Sequence, residues 1–356
     1  MILNVVKTLL PGIISFAIGI GFAPLLTNYL YAHKMWKKRA GKQALDGSTA
    51  AVFNALHETR EVGTPKMGGV VVWFAAGATA ALLWLLPILL PSDLFTKLDF
   101  VSRGQTWLPL VALLLGALVG LADDFLEVRA PGSSLSGGLS LQKRLIAVSC
   151  IAFLAALWFF LKLEVSTVAL PFLGEIDVGI LFIPIFVLVA LAVYSGGVID
   201  GIDGLAGGVF AIMFAAYSLI AFFQAQFNVA AFCAAIVGGI LAFLWFNIPP
   251  ARFYLSETGT MALTLTLTIV AFMTDALGEG KGVAVLPIIA APLLATTLSN
   301  IAQVASKKWR GKKLFRVAPL HHHFEALGWP PYKVTMRYWV LSVLFAMVGT
   351  IVALIG

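Results

Sequence analysis

The stretch VGILFIPIFVLVALAVYSGGVI, residues 178–199, carries no charged side chain and is long enough to cross a bilayer core as a helix. DGIDGLAGG, residues 200–208, follows it directly, and a second uncharged run, 204–226, begins inside that segment. Two spans joined by a short acidic, glycine-rich turn describe a membrane hairpin. Further apolar stretches of spanning or near-spanning length lie at 9–31, 68–90, 105–122, 145–161, 229–246, 259–274, 283–303 and 338–355. The expected fold is therefore an all-α polytopic membrane protein of about ten transmembrane helices, folded as one domain over 1–356.

Composition agrees. Hydrophobic residues make up 60% of the chain, charged residues 12%, and the mean hydropathy is +0.96, far outside the range of soluble domains. The first run is longer than a signal-peptide core and lacks a cleavage pattern after it, so it reads as a retained span. Cys150 and Cys233 fall in or beside apolar runs without any CxxC spacing, which excludes a zinc cluster and reads as core thiols.

The net charge of +7 is organised by position. Loops assigned alternately to one side, 32–67, 123–144, 200–203, 247–258 and 304–337, hold 19 of the 24 Lys/Arg residues. By the positive-inside tendency these loops face the cytoplasm, and an even number of spans leaves both termini outside. The charge thus reads as membrane orientation, with no nucleic-acid partner.

Every polar constellation falls on that same side, where ionisable groups at a membrane edge are costly unless they serve a cavity, a cation or a partner. Asp123 and Asp124 end the third span in GLADDFLEVR, and adjacent acids call for a cation or a proton; a solvated acidic helix end is the plain alternative. Asp200 and Asp203 lie three apart and would share a face on a helical turn. Gly204 and Leu205 open the next helix there, a setting that suits phosphate, although small residues also serve helix packing.

FNIPPARFYLSETGT, from Phe246, supplies Asn247, Arg252, Tyr254 and Glu257: an amide, a cation, an aromatic face and a carboxylate, the mix of a nucleotide pocket. An interfacial aromatic belt explains a lone tyrosine equally well. GTPKMGG, 63–69, sets an irregular turn with Lys66, which alternatively snorkels to the interface. The KMWKKRAGK run, 34–42, reads as orientation and anionic-lipid attraction. APLHHHFE, 318–325, crowds His321, His322 and His323 into one polar loop beside eight basic residues. Adjacent imidazoles there can bind phosphate, relay protons or ligate a metal.

Taken together, GTPKMGG, LADD, DGIDGLAGG, FNIPPARF and APLHHHFE resemble, in order and over nearly the whole chain, the phospho-N-acetylmuramoyl-pentapeptide transferase family. The family belongs to the polyprenyl-phosphate N-acetylhexosamine-1-phosphate transferases. The resemblance implies ten helices, termini outside, and a cytoplasmic-face site in the bacterial inner membrane. It also implies Mg²⁺-dependent transfer from UDP-N-acetylmuramoyl-pentapeptide to undecaprenyl phosphate, giving lipid I and UMP, and a homodimer in the bilayer.

Carried over, the catalytic and metal-holding carboxylates are Asp123, Asp124, Asp203 and Glu257. The substrate-binding set is Asp200, Gly204, Leu205, Asn247, Tyr254, His321, His322 and His323, to which the need to meet substrate phosphate charge adds Lys66 and Lys143. Glu257 stands where the family has an aspartate, Ser256 where it has a glycine, Glu61 and Glu127 where it has lysines, and Gly197 where it has an asparagine. Lys66 replaces a threonine, so positive charge has moved. Arg60, Lys66, Arg129, Lys143 and Arg252 are the candidates to meet substrate phosphate. The rival readings are a related UDP-N-acetylhexosamine transferase, a membrane transporter and a catalytically silent scaffold; acids gathered at one membrane face, with no inverted repeat, count against the transporter.

Overall fold

In a computed structural model of the chain, residues 1–38, 62–102, 104–129, 138–276 and 281–356 are described. Long helices run over Ile2–Ala32 (α1), Val70–Leu89 (α2), Trp107–Arg129 (α4) and Leu141–Lys162 (α5). They continue over Phe182–Ser195 (α6, with 3-10 turns on both flanks), Leu205–Phe223 (α7), Phe227–Asn247 (α8), Ser256–Ala276 (α9) and Pro331–Ile355 (α13). Among the described residues nine helices are long and apolar enough to cross a membrane. Gly282–Ile289 (α10) and Ala291–Arg310 (α11) meet the same criterion only as a pair bent by 69°, either a broken span or a re-entrant loop. Pro287 and Pro292 flank the bend and remove backbone donors where the helix would otherwise continue.

Burial falls off from the centre outwards. In α9, 94% of the most apolar window is buried, against 22% in α1, whose outer side is left to lipid. The central helix is nonetheless the least hydropathic of the nine. Its buried threonines resolve this: the hydroxyls of Thr264, Thr266, Thr268 and Thr274 donate to carbonyls four residues back, at 2.7, 2.7, 3.0 and 3.1 Å. No polar atom of theirs then needs water.

Close approach of α4 to α9 sets up the polar end of the bundle. Gly116 and Gly120, one turn apart on α4, face the α9 backbone, and a Cβ on Gly120 would lie 2.8 Å from Thr258 Cα. Small residues are what permit such contact between membrane helices. Gly120→Val is expected to cost about 1–3 kcal/mol by overpacking. It would be read as a lowered melting temperature in detergent together with lost turnover, and a variant of native stability would show that the helices separate freely there.

The opposite end carries a short helix, Asp93–Leu98 (α3), and a hairpin of Thr167–Leu170 (β1) with Gly174–Asp177 (β2). Asp275 ties this end together by accepting Ala169 N–H at 3.0 Å and Val283 N–H at 3.3 Å. The carbonyl of Gly356 accepts Phe172 N–H at 3.1 Å, so the residue that caps α13 sits at the hairpin end.

Several expectations are corrected locally. The histidines form no loop but a short helix, Leu320–Ala326 (α12), in which His321 and His322 are buried. Asp200 and Asp203 share no helical turn, because the 3-10 turn Gly196–Ile199 stops before them and Gly204 has φ +76°. Cys233 is a core thiol, whereas Cys150 lies exposed on α5.

Candidate active site

Five connections meet at the other end. The segment 62–69 zips onto the stretch before α9: Tyr254 N–H donates to Pro65 O at 2.9 Å, Gly68 N–H to Tyr254 O at 2.8 Å, and Gly69 N–H to Leu255 O at 3.2 Å. Side chains at 68 and 69 would collide with that backbone, which accounts for the two glycines. The zipper delivers Lys66 to the last turns of α4.

There Asp123 and Asp124 are fully buried and Glu127 nearly so. Asp124 accepts Thr258 N–H at 2.9 Å and its hydroxyl at 2.6 Å, and pairs with Lys66 at 3.3 Å. Lys66 also holds Glu127 in a short contact, and Lys37 reaches the same carboxylate at 3.4 Å. Burial works against the Lys66 charge, but Asp124 and Glu127 outweigh it and hold the ammonium well above the ordinary lysine pKa.

Asp123 accepts Leu139 N–H at 2.5 Å and lies 3.3 Å from Arg144, whose other arm reaches Glu257 at 2.5 Å. The sequence reading chose Lys143 from this pair; Lys143 is exposed, and Arg144 faces the acids. Thr260 donates to Glu257 at 3.3 Å, and Gly197 packs against Thr260.

Asp123, Asp124 and Glu127 bring carboxylate oxygens within 4.8 Å of one another. Asp123 Oδ2 is buried without a hydrogen-bond partner. An all-oxygen set with one orphaned anionic atom fits a hard divalent cation. Glu257 joins Asp123 through Arg144, and Asp203 is outside this three-residue set.

Asp203 accepts Ala251 N–H at 3.1 Å, and Asp200 accepts Ser256 N–H at 2.8 Å, so both brace the segment before α9. Asn247 does similar work from α8: Oδ1 accepts Gly204 N–H and Nδ2 donates to Phe253 O, each at 2.8 Å. Leu205 is buried in the core at the start of α7. Tyr254 is half-buried.

The histidine helix closes the cluster. A Cβ on Gly201 would lie 2.5 Å from His321 Nε2 and 2.6 Å from His322 Nε2, so both rings rest on the acidic turn. His322 Nδ1 lies 2.6 Å from Glu325, which leaves Nε2 as the nitrogen facing that turn. His323 points elsewhere, accepting Arg316 N–H at 3.2 Å, and burial and the Arg316 charge keep it below the ordinary histidine pKa. Arg129 and Arg252 lie over the rings of Phe125 and Phe246. Arg60 and Glu61 lie outside the described residues.

Residues 106–275 match the description "Glycosyl transferase family 4". The phospho-N-acetylmuramoyl-pentapeptide-transferase of Chloroflexus aurantiacus is 33% identical over 309 residues, covering 83% of this chain and 78% of the relative. The protein of the same name from Geobacillus sp. WCH70 is 31% identical over 341 residues, covering 95% of each. That from Dichelobacter nodosus is 34% identical over 312 residues, covering 82% of this chain and 80% of its own.

Proposed function

The chain belongs to the phospho-N-acetylmuramoyl-pentapeptide-transferase family, and we propose that it transfers phospho-N-acetylmuramoyl-pentapeptide from its UDP carrier to undecaprenyl phosphate, releasing UMP. The observation that carries this reading is the meeting of buried Asp123 and Asp124 with Lys66 and Arg144 at one end of a membrane bundle. Such a site can face a water-soluble nucleotide and a lipid phosphate at once. The whole chain acts as a single transferase domain in the bacterial inner membrane. The clustered Lys/Arg loops support a site facing the cytoplasm and chain ends outside.

A phosphate monoester has a second pKa near about 6 and is largely dianionic at neutral pH, so the lipid phosphate needs no strong base. One of its oxygens forms a bond to the β-phosphorus of the nucleotide sugar. The bond from that phosphorus to the bridging oxygen breaks, and the bridging oxygen leaves with UMP. Asp123, Asp124 and Glu127, with Glu257 alongside, would hold Mg²⁺, which when bound supplies charge neutralisation on the diphosphate. Lys66 and Arg144 add fixed positive charge beside it. Asp123 orients the lipid phosphate, and Tyr254 offers a face to the uracil. Asp200, Asp203 and Asn247 keep the connections in register, and His321 and His322 stand over the acidic turn as phosphate donors, with His323 and Lys143 at the rim.

Detergent-purified protein given undecaprenyl phosphate and UDP-N-acetylmuramoyl-pentapeptide is expected to release UMP only with Mg²⁺. Release with UDP-N-acetylglucosamine instead would reassign the sugar, and silence of folded protein with both donors would refute a transferase.

A further inference from the structure

The acid cluster is already paired with resident cations. Asp123, Asp124, Glu127 and Glu257 are met by Lys37, Lys66 and Arg144, four carboxylates against three cations. A dication added to this arrangement would overshoot neutrality unless a resident cation turned away or an anion arrived with it. Arg144 is placed to turn away. Its side chain is 21% exposed while Asp123 is 0% exposed, so the guanidinium has a route to solvent. Tyr194, at the end of α6, hydrogen-bonds the same guanidinium.

Each carboxylate has a partner besides Arg144. Leu139 N–H fixes Asp123 and the Thr260 hydroxyl holds Glu257, so both stay held when the guanidinium turns, a movement that also gives up the bond from Arg144 Nε to Leu139 O at 3.0 Å. Asp123 Oδ2, buried and without a hydrogen bond, is the atom that gains most from a cation. Resting on the reading of this cluster as a cation site, we propose that Arg144 is an exchangeable counter-ion. It yields Asp123 and Glu257 to the incoming divalent cation and turns to the diphosphate of the nucleotide sugar, so cation and diphosphate bind as a coupled pair. Such coupling is reciprocal: each ligand tightens the other by the same factor.

The test is Mn²⁺ titration followed by electron paramagnetic resonance on the full-length protein in detergent, with and without UDP. An opposite charge at this range shifts a carboxylate's affinity for a cation such as the proton by about one to three powers of ten. Arg144→Gln is therefore expected to bind Mn²⁺ alone about tenfold or more tighter than wild type and to gain little from UDP. Wild type is expected to bind weakly alone and clearly tighter with UDP, and this arm stands even if the variant fails to fold. Mn²⁺ affinity that ignores UDP in wild type, or that is unchanged or weaker in folded Arg144→Gln, overturns the exchange while leaving the cation site intact. No Mn²⁺ bound by wild type under either condition overturns the cation site, and the exchange with it.

Discussion

Asp123→Asn is expected to lower turnover by about two to three orders of magnitude while leaving the protein folded. The asymmetry of its hydrogen bonding is the reason. Oδ1 accepts Leu139 N–H at 2.5 Å, a bond an asparagine oxygen can also accept, whereas Oδ2 has no hydrogen-bond partner and is the atom that becomes an amide nitrogen. The local scaffold therefore survives, and what disappears is a buried anionic oxygen of the carboxylate cluster. Arg144 keeps Glu257 and is still held at 2.5 Å.

Asp124→Asn makes the contrast. Its carboxylate accepts from the Thr258 backbone, the Thr258 hydroxyl and Lys66, three donors around one buried group. An amide must turn its NH₂ toward at least one of them. Breaking a buried charge pair costs about 3–5 kcal/mol when the partner is stranded, and Lys66 retains Glu127, so the lower end applies. The expected pattern is lost turnover in both variants, with a lowered melting temperature only in Asp124→Asn. Wild-type turnover by folded Asp123→Asn would remove this residue from the chemistry.

What the sequence discloses and what it conceals divide along physical lines. Spans are legible because a run such as 178–199 has one reading in water and another in lipid, whereas the run 283–303, read as a single stretch, bends by 69° between α10 and α11. The choice between Lys143 and Arg144 is not legible in the same way. Both are basic residues on the first turn of α5, adjacent residues on a helix point in different directions, and only the positions of α4 and α9 decide which one meets an acid. Glu127, read as a departure, lies three residues after Asp124, and that spacing placed it on the same helix face. Glu325, three residues after His322, carried the same signal. Asp200 and Asp203 have the identical spacing but no helix beneath it, because Gly204, at φ +76°, lets the chain turn. Periodicity is informative only where the backbone keeps its period. The hairpin 167–177 has four-residue strands, too short for an alternating pattern to stand out.

Lys66→Glu is expected to abolish turnover, a loss of about a thousandfold or more, because it replaces the cation shared by Asp124 and Glu127 with a further carboxylate. Lys66→Thr, which only deletes the charge, should lose about a hundredfold. The informative protein is the double variant Lys66→Thr with Glu127→Lys. The sequence pairs the charge relocated to Lys66 with a lysine lost at Glu61, which lies outside the described residues; among the described residues it is Glu127, another position where the family has a lysine, that Lys66 contacts. Since the Lys66 ammonium touches the Glu127 carboxylate, a lysine rooted at 127 on α4 can put its own ammonium near the same point, beside Asp124. Lys37, 3.4 Å from Glu127, opposes this by like-charge repulsion, so recovery is expected to be partial, to within about tenfold of wild type. Glu127→Lys alone crowds three ammonium groups and should be worse than the double, giving a favourable coupling in the mutant cycle. A double variant no more active than Lys66→Thr would show that the cation must come from the 62–69 segment, and that its position on that connection, beyond its charge, is what the site requires.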